Sequence, residues 1–212
     1  MSKTVWLVAV LLAFAAHAGA EPVDDGVAQL QREWEVVKYK TPTTQQERQY
    51  EVLAEKAERL VAAHPGRAEP LIWQGIVVSS LAGARGGLGA LSLAKQAKSQ
   101  YEEALKIAPN ALDGSAYNSL GVLYYKVPGW PVGFGDKAKA KELLQKALAI
   151  NPSGIDPNYF YAEFLIDTGR PAEAVPYLER ALTAPARPGR EVADNGRREE
   201  ARTLLAKART AS

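Results

Sequence analysis

The sequence predicts an all-α fold built as an array of antiparallel helix pairs, and three observations carry that reading. Segments of similar sequence recur: EEALKIAPN (102–110), QKALAINPS (145–153) and ERALTAPAR (179–187), with a weaker echo, ERLVAAHPG, at 58–66. Pro65, Pro109 and Pro152 stand 44 and 43 residues apart, and self-similarity at such a period marks a helical array. Within each copy small residues fall three and four positions apart, the spacing of one helix face into which a partner helix packs closely.

The chain has 212 residues, enough for one domain with a sizeable core. It opens with MSKTVWLVAVLLAFAAHAGA, in which a basic start at Lys3 leads into an apolar run from Val5 to Ala16 and then into small residues. This is the pattern of a secretory signal peptide over 1–20, with Ala18-Gly19-Ala20 at the cleavage site and Glu21 as the mature start. The run is too short for a comfortable membrane span, and no Cys follows it to carry a lipid. The expectation is a soluble, exported protein without stable membrane insertion, periplasmic in a Gram-negative source. Loss of Lys3 leaves 25 basic residues against 24 acidic ones, a balance that gives no indication of a nucleic acid partner. With no Cys in the chain, packing rather than disulfides must hold the fold.

Residues 21–66 read as N-terminal helices, either a divergent repeat or a cap. Thr44-Gln45-Gln46-Glu47 has the form of a capping box opening a helix to about Ala63. A first unit, about 67–110, joins EPLIWQGIVVSSLAG to a helix carrying Ala97, Tyr101, Ala104 and Pro109. A second, 111–153, joins GSAYNSLGVLYYK to Ala140, Leu144, Ala147 and Pro152, with Asp136 placed to cap the helix that starts at Lys137. A third, 154–186, joins DPNYFYAEFLIDTG to Ala174, Leu178 and Ala181. There Asp156 reads as an N-cap before Pro157 at the first helical position, and Pro176 should bend the helix expected over 171–183. Residues 187–212 supply a C-terminal capping helix, RREEARTLLAKAR (197–209), with Ala201, Leu204, Leu205 and Ala208 on one stripe.

From about Glu69 to Ala184 the chain resembles the tetratricopeptide repeat family. The second unit matches best, through Tyr117, Leu120, Gly121 and Tyr124 followed by Ala140, Leu144, Ala147 and Pro152; Ala140 to Ala174 then spans 34 residues, the family period. In the first unit Trp73 or Gly75 can be aligned with the second unit's Tyr117 or Gly121, and the Trp73 register is favoured because it buries Ile76 and Val77. The resemblance implies that the first helix of each pair lines the concave face. Asn118, Val122, Tyr125 and Lys126, then Tyr159, Glu163, Ile166 and Asp167, would form it, with Gln74, Val78 and Leu81 added in the Trp73 register. The paired basic residues with which some members clamp a peptide carboxylate are not evident.

Tyr117 to Ala140 is 23 residues where the repeat needs about 16, so the segment YYKVPGWPVGFGD (124–136) holds an insertion. The first unit has its own excess, AGARGGLGAL (82–91), and Gly75 to Gly87 and Gly121 to Gly133 are both twelve residues; the expectation is one turn lengthened twice on the same edge. Gly and Pro make such a turn ordered. Two readings of Trp130 and Phe134 stand: they plug the end of the groove between helices, or they present a pocket or binding edge. Around residues 113–152 the chain is similar to the periplasmic repeat proteins associated with TRAP transporters, the T component. That likeness implies contact with a solute-binding protein and an apolar ligand channel, although the lipid-bearing Cys common in that group is missing.

Little catalytic chemistry is on offer. Beyond the leader the chain has a single His, His64, beside a helix end, and no Cys, so ordinary zinc and thiol sites cannot be assembled. GARGGLGAL fits no phosphate-binding pattern, and Lys137, Lys139, Lys141 and Lys146 read as a solvated face. The expected function is a non-enzymatic scaffold, without cofactor or metal, that binds a protein or peptide partner in the periplasm. The alternative is a carrier of an apolar small molecule, and pairing of copies is left open.

Overall fold

The computed structural model describes residues 23–211, so the expected signal peptide lies outside the described residues. Nine helices follow one another there: α1 (Val23–Lys40), α2 (Thr43–Ala63), α3 (Ala68–Arg85), α4 (Gly87–Ile107), α5 (Ala111–Lys126), α6 (Lys137–Ile150), α7 (Ile155–Asp167), α8 (Pro171–Thr183) and α9 (Glu191–Thr210). In α1 the buried Val27, Leu30, Trp34 and Val37 recur at steps of three and four. Asp24 and Asp25 in its first turn and Lys38 and Lys40 in its last suit the helix dipole. Helices α3 and α7 bury side chains nearly all round, which requires cover on more than one side.

That cover comes from a two-layer arrangement. The odd-numbered helices touch in a cycle, α1 to α3, α3 to α5, α5 to α7, α7 to α9 and α9 back to α1, while the even-numbered ones touch only their chain neighbours and form the outer layer. The array is therefore closed into a ring. Its last helix is not an end cap, as the sequence suggests, but the piece that joins the ring's two ends. Gly196 permits the join, since a Cβ there would lie 2.4 Å from Tyr39 Cδ1. Glu35 Oε2 fastens it by accepting the Ala193 N–H at 3.0 Å, one of the donors that the first turn of α9 leaves without an intrahelical partner. Arg190 pairs with the same carboxylate at 3.5 Å, and the Tyr39 hydroxyl reaches Glu200 at 3.4 Å.

Between layers the repeats interlock through small residues. Ala97, Ala104, Ala140, Ala147, Ala174 and Ala181 are fully buried, as are Tyr101, Leu144 and Leu178 between them. Gly121 lies against Leu144, whose Cγ would be 2.8 Å from an added Cβ, and Gly75 lies in the same way against Tyr101, at 2.5 Å from Cε1. Gly75 is thus the counterpart of Gly121, and the Trp73 register is overturned; close approach of a large buried side chain to the helix backbone, which only Gly allows, decides the alignment.

Three local expectations change. The excess of the first unit makes no loop: α3 and α4 extend to meet across Gly86, at φ 64°, because AGAR and the Ala- and Leu-rich stretch after it are helix formers without Pro. Pro42, not Thr44, precedes α2, so the capping box is not formed; Gln46 instead donates to the Lys38 and Thr41 carbonyls at 3.3 and 3.1 Å. Gly154 takes the N-cap of α7, and Asp156 is drawn into ion pairs with Arg187 and Arg197 at 2.7 and 2.9 Å. Helix α8 has the bounds expected, Pro171–Thr183, with Pro176 inside it. Asp136 caps α6 as expected, accepting the Ala138 and Lys139 N–H groups at 2.8 and 3.0 Å.

Candidate functional site: a central cavity and the turn at its mouth

The insertion between α5 and α6 is a compact turn. Gly135 N–H donates to the Pro128 carbonyl at 2.9 Å, Gly133 N–H to Gly129 at 3.1 Å, and Asp136 N–H back to Tyr124 at 2.8 Å. A side chain at Gly135 would lie 1.9 Å from the Val127 carbonyl oxygen, so the hairpin closes only around glycine. The two aromatic residues part company here. Phe134 folds back edge-on to Tyr124, centroids 5.6 Å apart, with the Lys98 ammonium 5.8 Å from its ring. Trp130 points outward and is 90% exposed. Plugging is thus the role of Phe134, while Trp130 presents a free edge.

Inside the ring lies a cavity of about 1220 Å³, walled by side chains of α1, α2, α3, α4, α5, α7 and α9 and by the segment 185–190. The turn reaches its rim through Val127, Pro128 and Val132. Of the residues expected to bind, Asn118, Val122, Lys126, Tyr159 and Glu163 line this cavity, whereas Gln74, Tyr125, Trp130 and Phe134 do not. Gln74 is buried, a consequence of the shifted register: Ile76, Ser79 and Ser80 take the wall positions of the first unit.

The Tyr125 position also differs from expectation. Its hydroxyl donates to Glu163 and its ring packs edge-on against Phe164, 5.6 Å away, so it ties α5 to α7 instead of offering itself to a partner. Burial, reinforced by the Glu163 carboxylate, pushes that hydroxyl well above the ordinary tyrosine range. Lys126 extends the tie to Asp167 at 2.9 Å and Glu163 at 3.3 Å.

Opposite, three arginines that sequence reasoning passed over line the cavity. Arg197 stacks on Tyr159 and Phe160, 4.5 and 4.4 Å from their centroids, and Arg190 lies 5.2 Å from the Trp73 ring. Arg187 bridges Asp156 and Asp194, the latter at 2.6 Å. Burial alone would raise the Asp156 carboxyl, but Arg197 and Arg187 outweigh it and hold the pKa down at about 2. The tryptophans of α1 and α3 complete the wall: Trp34 meets Trp73 at 5.9 Å and donates to Ser80 Oγ at 2.8 Å. Only the correct first-unit register points to the Ser79 and Ser80 face; the arginines sit in PARPGR and the helix after it, which match no pattern.

Among the described residues no group of three His, Asp or Glu side chains is placed to hold a metal ion, and no helix is long and apolar enough to cross a membrane.

The tetratricopeptide repeat family matches residues 132–189. Among solved structures, a thermophilic tetratricopeptide-repeat protein of Thermus thermophilus aligns with a TM-score of 0.56 at 15% identity, over 85% of this chain and 99% of that one. MamA aligns with a TM-score of 0.45 at 18% identity, over 77% and 88% of the two chains. No curated protein matches the sequence. At 15% identity the Thermus likeness speaks for the fold alone. The interlocked helix pairs, that likeness and the match over 132–189 together support a tetratricopeptide-repeat fold.

Proposed function

We propose that the chain is an exported, non-enzymatic interaction scaffold that holds a protein or peptide partner at the Pro/Gly turn on the mouth of its central cavity. The observation that carries this reading is Trp130, 90% exposed on a turn whose backbone is internally hydrogen-bonded. A large aromatic side chain presented by a pre-organised loop loses little freedom on binding and contributes much buried area. Val132, 63% exposed, extends the apolar edge, and Lys126 with its carboxylate partners borders it. The turn and the cavity beside it also support a finer form of the reading, an accessory protein of the TRAP-transporter kind acting in the periplasm.

In-cell photo-crosslinking from position 132, beside an unaltered Trp130, with Val52 on the exposed side of α2 as the control position, tests the scaffold. Repeated recovery of one exported protein from position 132 and not from 52 is expected. Equal recovery from both, or none from position 132, would refute it.

A second reading, carriage of a small molecule, is favoured by one separate observation: the ring surrounds an open-mouthed cavity larger than the ~300–1,000 Å³ of ordinary ligand pockets. Native mass spectrometry of the protein purified from its own compartment should then show a retained mass.

A further inference from the structure

Three polar atoms of residues on the cavity wall have no hydrogen-bond partner, although their residues are almost wholly buried. They are the indole Nε1 of Trp73, 4% exposed, the amide Oδ1 of Asn118, 5% exposed, and the hydroxyl of Tyr50, 1% exposed. Native interiors seldom leave such groups unpaired, because each unmade hydrogen bond costs the full desolvation of the group. The remaining wall is aromatic, and its basic side chains are electrically settled. Every basic side chain on it already has a carboxylate: Lys38 with Glu200, Lys126 with Asp167, Arg187 with Asp156, Arg190 with Glu35 and Arg197 with Asp156. An anion entering the cavity would have to break one of these pairs, and a cation would meet guanidinium groups lying over the aromatic faces it would seek.

We infer that the cavity holds a neutral small molecule with a flat aromatic or apolar body and a polar edge, anchored by the indole N–H of Trp73 and the carboxamide of Asn118. The ligand accepts from Trp73 Nε1, which can only donate, and exchanges a hydrogen bond with Asn118, whose amide both donates and accepts. Trp34 and Trp73 supply apolar area, and the hydroxyl groups of Ser79 and Tyr101, 3.2 Å from each other, lie on the same wall. This assignment rests on the carrier reading and adds to it the polarity and neutrality of the ligand.

The test uses the purified protein with two probes, 2-naphthamide and naphthalene, which share an aromatic body but differ in the carboxamide. The probe position is read from the indole N–H signals of Trp73, Trp34 and Trp130 in a ¹H–¹⁵N NMR titration. We expect 2-naphthamide to move the Trp73 signal, to leave Trp130 unmoved, and to bind about tenfold or more tightly than naphthalene. Trp73→Phe and Asn118→Leu should each weaken 2-naphthamide about tenfold and leave naphthalene unchanged. Equal binding of the two probes to the unaltered protein overturns the polar anchor while the carrier reading stands, and needs no variant to fold. If neither probe moves the Trp73 or Trp34 signal, or if only Trp130 responds, the carrier reading fails together with the inference.

Discussion

The alignment of Gly75 with Gly121 predicts that two glycines of one helix respond to alanine in opposite directions. Gly75 and Gly83 both lie within α3, so Gly→Ala brings each the same intrinsic gain in helix propensity, about 0.5–1 kcal/mol. At Gly83 nothing stands within 4 Å of the new methyl group, and the gain should appear in full. At Gly75 the methyl carbon would be 2.5 Å from Tyr101 Cε1 and 2.8 Å from Cζ. The Tyr101 ring is fully buried and its hydroxyl is engaged with Ser79 at 3.2 Å, so it has no room to step aside. Overpacking of this kind costs about 1–3 kcal/mol. The propensity term cancels between the variants, leaving them about 1–3 kcal/mol apart with Gly75→Ala the less stable. For a chain of this size that is a separation of at least ~2 °C in Tm. Urea melts followed by circular dichroism, with m checked for constancy, measure it directly. If Gly75→Ala proves as stable as Gly83→Ala, the ring of Tyr101 does not rest on the α3 backbone and the alignment argued from it is wrong.

Three further outcomes follow from the ring and its turn. Asp156, held at about 2 by Arg197 and Arg187 against an ordinary value of 3.8, contributes stability that is complete above about pH 4 and lost as pH falls towards 2. Asp156→Asn should cost about 2 kcal/mol at neutral pH and flatten that acid slope in denaturation curves; an unchanged slope would dissociate the pairs from stability. Trp130→Ala should leave stability within about 0.5 kcal/mol while abolishing partner capture, whereas Phe134→Ala, which removes a half-buried ring, should cost about 1–3 kcal/mol; equal effects on melting would contradict the division between them. Glu35→Ala deprives α9 of its acceptor at Ala193 and Arg190 of its partner, a loss of about 1.5–3 kcal/mol. Hydrogen exchange should then quicken at the start of α9 but not in α6, and uniform exchange would argue against a ring joined there.

The outer layer and most of the pairing were legible in the sequence because they rest on local, repeated signals. The Ala97, Ala140 and Ala174 series and the Ala104, Ala147 and Ala181 series could be read directly, since small residues at a helical spacing have one use, close packing. Asp136 was legible as a cap for the same reason, its side chain bonding N–H groups two and three residues away. The first-unit register is not legible in this way. Burial of Ile76 and Val77 favours Trp73 on local grounds, whereas the deciding contact, Gly75 on Tyr101, joins residues 26 apart.

The site itself was only half visible. Asn118, Val122, Lys126, Tyr159 and Glu163 followed from the repeat, but Tyr125 is spent between two helices, and Trp34, Arg187, Arg190 and Arg197 carry no motif. The sequence by itself determined that this chain makes helix pairs with interlocking small residues and a Gly/Pro turn, because propensity, periodicity and capping act over a few residues. Only the tertiary structure decided that the pairs close into a ring. Asp194, Asn195 and Gly196 are weak helix formers, yet they continue α9 because Gly196 admits Tyr39 and Asp194 takes the Arg187 N–H and guanidinium at 2.9 and 2.7 Å. Those contacts, with the Glu35 tie to Ala193 across 158 positions, outweigh a local preference worth only about 1 kcal/mol, and the cavity exists because they do.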